Sequence, residues 1–166
     1  NLYLTKGTKG FGDLDGMFSF SIYDKRLCKI FIARDFFGEK PLYYFKRDKI
    51  FSWSSELKSF KGLLTQNVIS KEGMQLYFAL TYIPAPYTIY DGVFKLEPNK
   101  FLEFSLESHE ISIKSLRREE RVEKFSGTFE VAKQETRALV EQSVLSRSIS
   151  DVPIGTFLSG GVDSSI

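Results

Sequence analysis

The sequence has very little of the residues from which disulfides and metal sites are built. Among its 166 residues there is one cysteine, Cys28, and one histidine, His109. A single thiol cannot form an internal disulfide, and neither residue has a second metal ligand beside it in the sequence. The sequence therefore predicts neither a disulfide framework nor a thiol or histidine metal centre, and we expect a reducing, cytoplasmic environment.

Long apolar runs and blocks of like charge are also missing. No window approaches the ~18 apolar residues of a membrane-spanning helix, and the first ten residues lack the apolar core of a signal peptide. Lys and Arg number 23 against 21 Asp and Glu, for a formal net charge of +2. The densest cluster, "RREER", is interpreted as a solvated loop or helix start. We therefore expect neither nucleic acid nor a membrane as a partner.

The residues that are present are typical of a soluble globular protein with an aromatic core. Hydrophobic residues make up 42% of the chain, with 16 Phe and 8 Tyr. Between residues 15 and 55, short aromatic and β-branched runs alternate with charged turns. Phe18, Phe20 and Ile22 share one face of such a run, as in a half-buried strand. The pattern predicts four consecutive antiparallel strands: "MFSFSIYD", "CKIFIARD", "LYYF" and "IFSWSS".

Further along the chain, the apolar spacing predicts three helices and a hairpin. Leu57, Phe60 and Leu64 recur at helical spacing and predict a short helix packed on the sheet. A second helix is predicted over residues 75–82, before the prolines of "IPAPY". The alternating "FLEFSL" and "EISIKSL" predict a hairpin joined by "ESHE". The third and longest helix is predicted to begin after Thr128, a good N-cap residue.

Two isolated residues receive structural interpretations. Cys28 falls within the strand pattern with no base beside it, so we interpret it as a core thiol and not as a nucleophile. His109 falls in the turn "ESHE", where a solvated loop residue is the simplest reading. The aromatic cluster of Tyr43, Tyr44 and Phe45 is likewise interpreted as core.

The C-terminal stretch "VPIGTFLSGGVDSS" carries the chemistry of a phosphate site. "VPIGTFL" predicts a buried strand, and "SGGVDSS" predicts a tight turn that opens a helix. Two consecutive glycines let backbone N–H groups converge on an anion, and the hydroxyls of Ser159, Ser164 and Ser165 add donors. Taken alone, Ser-Gly-Gly is equally a flexible turn. The strand before it and the Asp and two Ser after it favour a nucleotide site.

This turn differs from the common ATP-binding loop with a Walker A sequence. It has shorter glycine spacing, and no Lys precedes a Ser or Thr. Without that Lys, the charge of the terminal phosphates has to be met by a cation. Asp163 is the nearby carboxylate that could hold Mg²⁺ directly or through water.

Several segments, taken together and in order, resemble the glutamine-hydrolysing asparagine synthetase family. They are "LDGMFSFSIYD", "IFIARDFFGEKPLYY", "SSELKSF", "IPAPYTIYDGVFKLEPNKFL" and "SDVPIGTFLSGGVDSS". Turns of the Ser-Gly-Gly-x-Asp-Ser kind are shared by several ATP pyrophosphatases and give only the reaction class. The "ARDFFGEKPLYY" stretch followed by "SSELK" is more specific, and it resembles a class II glutamine amidotransferase domain fused to a synthetase.

The resemblance implies an α+β architecture. Residues 1–66 would be the C-terminal part of an αββα N-terminal-nucleophile glutaminase domain. Residues 67–122 would connect it, with a β-hairpin, to residues 123–166. Those last residues would begin an α/β ATP-pyrophosphatase domain of the adenine nucleotide alpha hydrolase-like kind.

The resemblance also implies a two-site enzyme. One site releases ammonia from glutamine, and the other uses ATP and Mg²⁺ to convert aspartate to asparagine through β-aspartyl-AMP, with AMP and pyrophosphate as products. It implies glutamine, aspartate and ATP as partners and allows a homodimer. The family's catalytic nucleophile is an N-terminal cysteine outside this sequence. The ATP site carried over to this sequence is Leu158, Ser159, Gly160, Gly161, Asp163 and Ser164, with Asp163 also near Mg²⁺.

Alternatives remain open at this point. A β-lactam synthetase-like enzyme, or an amidotransferase serving a cell-surface polymer, would share the plan and use another carboxylate. The 166 residues taken alone are expected to be a non-catalytic fragment. Arg34 and Asp35 are interpreted first as an ion pair that fixes a loop, and second as lining a passage between the two sites. Glu56 and Lys58 receive the same interpretation.

Overall fold

The computed structural model describes residues 1–64, 68–117 and 124–165, which fall into two compact units, Asn1–Glu119 and Glu120–Ile166. Most of "RREER" and part of the polar connection after Leu64 lie outside the described residues. No described helix is both long and apolar enough to cross a membrane. The helices are α1 Leu2–Lys6, α2 Lys71–Leu80, α3 Phe129–Arg147 and α4 Val162–Ser165, with 3₁₀ helices at Gly7–Asp13 and Leu57–Phe60. The strands are β1 Ser19–Asp24, β2 Lys29–Arg34, β3 Tyr43–Arg47, β4 Ile50–Ser54, β5 Val93–Lys95, β6 Lys100–Ser105 and β7 Ile111–Ser115.

The strands of the first unit form two antiparallel sheets. The four-stranded sheet has the order β1-β2-β6-β7, and the three-stranded sheet has the order β4-β3-β5. The four strands predicted between residues 15 and 55 are all present, but they divide between the two sheets because the chain crosses from one to the other after β2. The alternation of apolar and polar residues predicts a strand from local sequence. The strand that it pairs with depends on residues far along the chain.

Three apolar clusters hold the layers of this unit together. Between the sheets, Ile32 and Leu102 of the four-stranded sheet pack with Tyr44 and Leu96, and the rings of Phe51 and Phe104 stack with centroids 4.4 Å apart. The two outer faces are covered by the 3₁₀ helices and their neighbours. One cluster joins Phe11, Phe31, Ala33 and Phe101, and the other joins Phe45, Phe60, Leu64 and Val93.

The mixed helical and antiparallel architecture confirms the predicted α+β class in its coarse form. Assignment to the N-terminal-nucleophile and ATP-pyrophosphatase folds stays a prediction. The predicted packing of Leu57, Phe60 and Leu64 against a sheet is confirmed, although a short 3₁₀ helix followed by hydrogen-bonded turns takes the place of an α-helix. Of the aromatic cluster predicted as core, Tyr44 and Phe45 are buried, and Tyr43 is half-buried against the cluster of Phe45, Phe60, Leu64 and Val93.

The hairpin of β6 and β7 is present where the alternation predicted it, but it does not stand apart from the sheets. β6 pairs with β2 along its whole length, with Ile32 opposite Leu102. β5 likewise pairs with β3. Residues 67–122 were predicted to be a connecting segment, but β5, β6 and β7 within it complete both sheets of the first unit. A hairpin is visible from local sequence, but a pairing across about seventy residues is not.

Helix α2 begins earlier than the apolar spacing predicted. The Ser70 hydroxyl accepts a hydrogen bond from the Gly73 amide at 3.0 Å and caps the first turn. At the other end, Thr81 adopts a left-handed conformation with φ +64°, and the helix ends there. Capping therefore sets both ends, with the prolines of "IPAPY" lying just beyond.

The second unit contains α3 and α4. The prediction that α3 begins after Thr128 is confirmed, and the Thr128 hydroxyl accepts from the Val131 amide at 3.4 Å. The strand predicted at "VPIGTFL" is wrong for this structure: these residues form no strand, and Phe157 is fully exposed. A strand needs a neighbour to pair its backbone groups, and no described residue pairs with this segment.

Candidate nucleotide-binding turn

The turn predicted at residues 159–161 is formed, and α4 follows it directly. Gly160 adopts φ +78°, in the left-handed region that glycine enters without steric cost. An added Cβ at Gly160 would meet no atom within 4 Å. The backbone conformation, and not crowding, is therefore the reason that this position favours glycine.

Hydroxyl groups converge on the centre of the turn. The Ser164 hydroxyl donates to the Gly161 carbonyl at 3.1 Å and lies 2.9 Å from the Ser159 hydroxyl. The Gly161 amide points at Ser159 Oγ at 3.5 Å, and the Ser165 hydroxyl donates to the Gly161 carbonyl at 2.8 Å. Either hydroxyl can be the donor in the contact between Ser159 and Ser164.

The structure brings three of the predicted site residues, Ser159, Gly161 and Ser164, into mutual contact. Leu158 is 74% exposed and makes no polar side-chain contact with them. Asp163 is exposed, and its carboxylate has no hydrogen bond or ion pair with any described residue. Its oxygens are therefore free to accept a ligand.

The chemistry of this turn fits a phosphate group with Mg²⁺. Hydroxyl and amide donors suit phosphate oxygens, and a carboxylate is the type of ligand that Mg²⁺ prefers. No hydrogen bond or ion pair joins a lysine or arginine to residues 158–165 among the described contacts. Much of a polyphosphate's charge would therefore have to be met by a cation beside Asp163.

Arg34 and Asp35 fix the loop at residues 36–41 through its backbone. The Arg34 guanidinium donates to the carbonyls of Lys40 at 2.8 Å and Leu96 at 2.7 Å, and also to that of Gly38. The Asp35 carboxylate accepts from the amides of Glu39 at 2.8 Å and Lys40 at 3.0 Å. Burial alone would raise the pKa of Asp35, but these amides outweigh burial and leave the pKa below its ordinary value.

The predicted loop-fixing role of Arg34 and Asp35 is thus confirmed, but the predicted means is wrong. The two side chains form no ion pair with each other, because neighbouring residues at a strand end point in opposite directions. Glu56 and Lys58 do form an ion pair, at 2.5 Å, with side chains 57% and 76% exposed. Such a pair contributes little stability.

The interpretation of Cys28 as a core thiol is wrong. Cys28 is half-buried in the turn between β1 and β2, with φ +49°. Its thiol lies 3.6 Å from the Lys25 carbonyl, which is not a base. The strand begins at Lys29, one residue after Cys28, so the thiol falls in the turn.

His109 lies in the predicted turn, with φ +57°. It is less solvated than predicted, because its ring is half-buried with its centroid 6.1 Å from that of Phe104. Its Nδ1 atom is buried without a hydrogen-bond partner. No group of three His, Cys, Asp or Glu side chains that could hold a metal occurs among the described residues.

A set of hydrogen bonds around the buried Asp24 carboxylate was not predicted from the sequence. The Asp24 carboxylate accepts from the Tyr3 hydroxyl at 2.8 Å, from the Arg26 guanidinium at 3.1 Å and from the Arg26 and Leu27 amides. The hydrogen bonds from Arg26 and Tyr3 hold the pKa of Asp24 below its ordinary value. The local Asp-x-Arg spacing is a turn signal that could have been read, whereas the contact with Tyr3 has no local signal.

Two family models match the chain, one for each unit. The model described as a glutamine amidotransferase domain matches residues 1–115, and the model described as asparagine synthase matches residues 135–166. The first match covers the two sheets, and the second covers most of α3 and the whole of the turn.

Curated proteins similar to this chain carry related names. This chain is 40% identical over 169 residues to the putative asparagine synthetase [glutamine-hydrolyzing] 2 of Methanocaldococcus jannaschii. The aligned region covers 99% of this chain and 32% of that protein. It is 35% identical over 160 residues to asparagine synthetase [glutamine-hydrolyzing] 1 of Bacillus subtilis, covering 92% and 24%. A putative asparagine synthetase [glutamine-hydrolyzing] of Mycobacterium tuberculosis is 31% identical over 168 residues, covering 95% and 25%. The chain thus spans less than a third of the length of these relatives.

Proposed function

Because this chain belongs to the glutamine-hydrolysing asparagine synthetase family, we propose that the protein carrying it makes asparagine from aspartate with ammonia released from glutamine. The proposal extends to the whole protein what the relatives' names state of those relatives. The single observation that carries it is the presence, in one chain, of a glutamine amidotransferase match and an asparagine synthase match that includes the Ser-Gly-Gly turn.

The proposed reaction needs both activities because each solves a different chemical problem. A carboxylate is a poor acyl donor until a good leaving group is attached, so the aspartate side chain is first joined to AMP and pyrophosphate is released. Ammonia then attacks this β-aspartyl-AMP and displaces AMP. Ammonia passed internally from the glutaminase site stays unprotonated and nucleophilic, which is the advantage of delivering it within one protein.

In this proposal, the turn at residues 159–161 and the start of α4 bind the ATP phosphates. The hydroxyls of Ser159 and Ser164 and the backbone amides at Gly160 and Gly161 bind the phosphates that leave as pyrophosphate, with Leu158 beside them. Asp163 would hold Mg²⁺, and the chemistry that the ion would supply there is positive charge for the pyrophosphate. The support is the converging hydroxyls and amide, the left-handed Gly160 and the unpaired Asp163 carboxylate.

The test is an assay of the full-length protein with glutamine, aspartate, ATP and Mg²⁺. We expect asparagine, glutamate, AMP and pyrophosphate in equal amounts, and ammonium salts in place of glutamine should also support asparagine formation. Two controls omit aspartate or Mg²⁺, and each should stop AMP formation.

Other outcomes of the same assay would contradict the proposal in different ways. AMP formation that requires another added carboxylate in place of aspartate would assign a different substrate, as in a β-lactam synthetase-like enzyme. ADP and phosphate in place of AMP and pyrophosphate would remove the adenylation step. Asparagine formation from ammonium but never from glutamine would show that the amidotransferase part has lost its activity.

A further inference from the structure

We draw no further inference here: the strongest candidate, the exposed apolar face that Met74, Tyr77 and Phe78 form on helix α2, carries nothing because nothing in the structure shows what covers it.

Discussion

The two units of this chain use polar residues in opposite ways. In the first unit, buried polar groups such as Arg34 and Asp35 are fully engaged with backbone groups of a loop. In the second unit, no residue of α3 or α4 is buried, and the Asp163 carboxylate has no partner among the described residues. The engaged polar groups of the first unit support a loop. In the second unit the turn is held by its own hydroxyls, and the exposed carboxylate of Asp163 is the group left available to a ligand.

The largest effect is expected in the second unit, from Asp163→Asn in the full-length protein. The amide cannot supply the negative charge that the proposed Mg²⁺ site needs, so asparagine formation should fall about 100-fold or more. Glutaminase activity, measured as glutamate release, should stay near the wild-type rate. The matched control is Asp151→Asn, at another exposed aspartate of the same unit, which should leave both rates unchanged.

The rates of asparagine formation and glutamate release, taken together, distinguish a ligand site from a turn with only a structural role. Loss of both activities in Asp163→Asn would indicate unfolding. An unchanged asparagine rate would remove Asp163 from the proposed site. Raising the Mg²⁺ concentration should recover part of the lost rate only if the carboxylate acts through the cation.

In the first unit, the largest expected effect is on stability. Leu102 is fully buried between the sheets, and Leu102→Ala should cost about 2–5 kcal/mol through lost burial and a residual cavity. Leu4→Ala, at a leucine that is 73% exposed, should change stability by less than about 0.5 kcal/mol. Amide hydrogen exchange followed by mass spectrometry can read β2 and β6 separately within the full-length protein. Equal effects of the two substitutions would contradict the described core.

The loop at residues 36–41 offers a test of the backbone clamp. Gly38 has φ +69°, and an added Cβ would lie 2.8 Å from Pro98 and 3.0 Å from the Arg34 guanidinium carbon. We expect Gly38→Ala to cost about 1–3 kcal/mol through strain and displaced hydrogen bonds. Gly62→Ala is the matched control, because its added Cβ meets no atom within 4 Å. Faster amide exchange at Glu39 and Lys40 in Gly38→Ala alone would confirm the clamp, whereas equal effects would contradict it.

A smaller effect should follow from pH at the Tyr3–Asp24 contact. Burial and the hydrogen bond to Asp24 raise the pKa of Tyr3 to about 12. The contact therefore contributes its full stability below the ordinary tyrosine pKa of about 10, and the contribution is lost as pH rises toward 12. Melting temperatures of wild type and Tyr3→Phe should converge over that range. Parallel curves would contradict the raised pKa.

The stability of the protein at low pH tests the contribution of Asp24. Its folded pKa lies below the ordinary value, so its contribution is present above about pH 4 and is lost as pH falls further. Asp24→Asn should be less stable than wild type near neutral pH, and the difference should shrink in acid. A difference that stays constant from pH 6 to pH 2 would contradict the depressed pKa.

Much of the local structure could be predicted because its signals are local. Aromatic and β-branched alternation marked β1 to β4, and Thr128 marked the start of α3 by its capping chemistry. The turn at residues 159–161 and the start of α4 were predicted for the same reason, since two glycines and three serines fall within seven residues. The prediction of Cys28 as a core thiol was wrong because the strand begins one residue later, at Lys29.

The features that escaped prediction depend on distant parts of the chain. β6 beside β2, the crossing after β2 and the contact of Tyr3 with Asp24 join residues far apart in the sequence. The Arg34 contact with Leu96 belongs to the same class, and it explains why adjacent opposite charges were misread as an ion pair. The exposed "VPIGTFL" segment shows the limit of an apolar run as a signal, because a strand also needs a partner.

Adenylation of aspartate can be tested by following an oxygen atom through the reaction. The full-length protein is supplied with glutamine, ATP, Mg²⁺ and aspartate labelled with ¹⁸O in its side-chain carboxylate. The mass of the AMP product is then measured by mass spectrometry. If aspartate is joined to AMP before ammonia attacks, each AMP formed carries one ¹⁸O atom from aspartate. AMP without the label would contradict adenylation of aspartate and with it the proposed function of the turn.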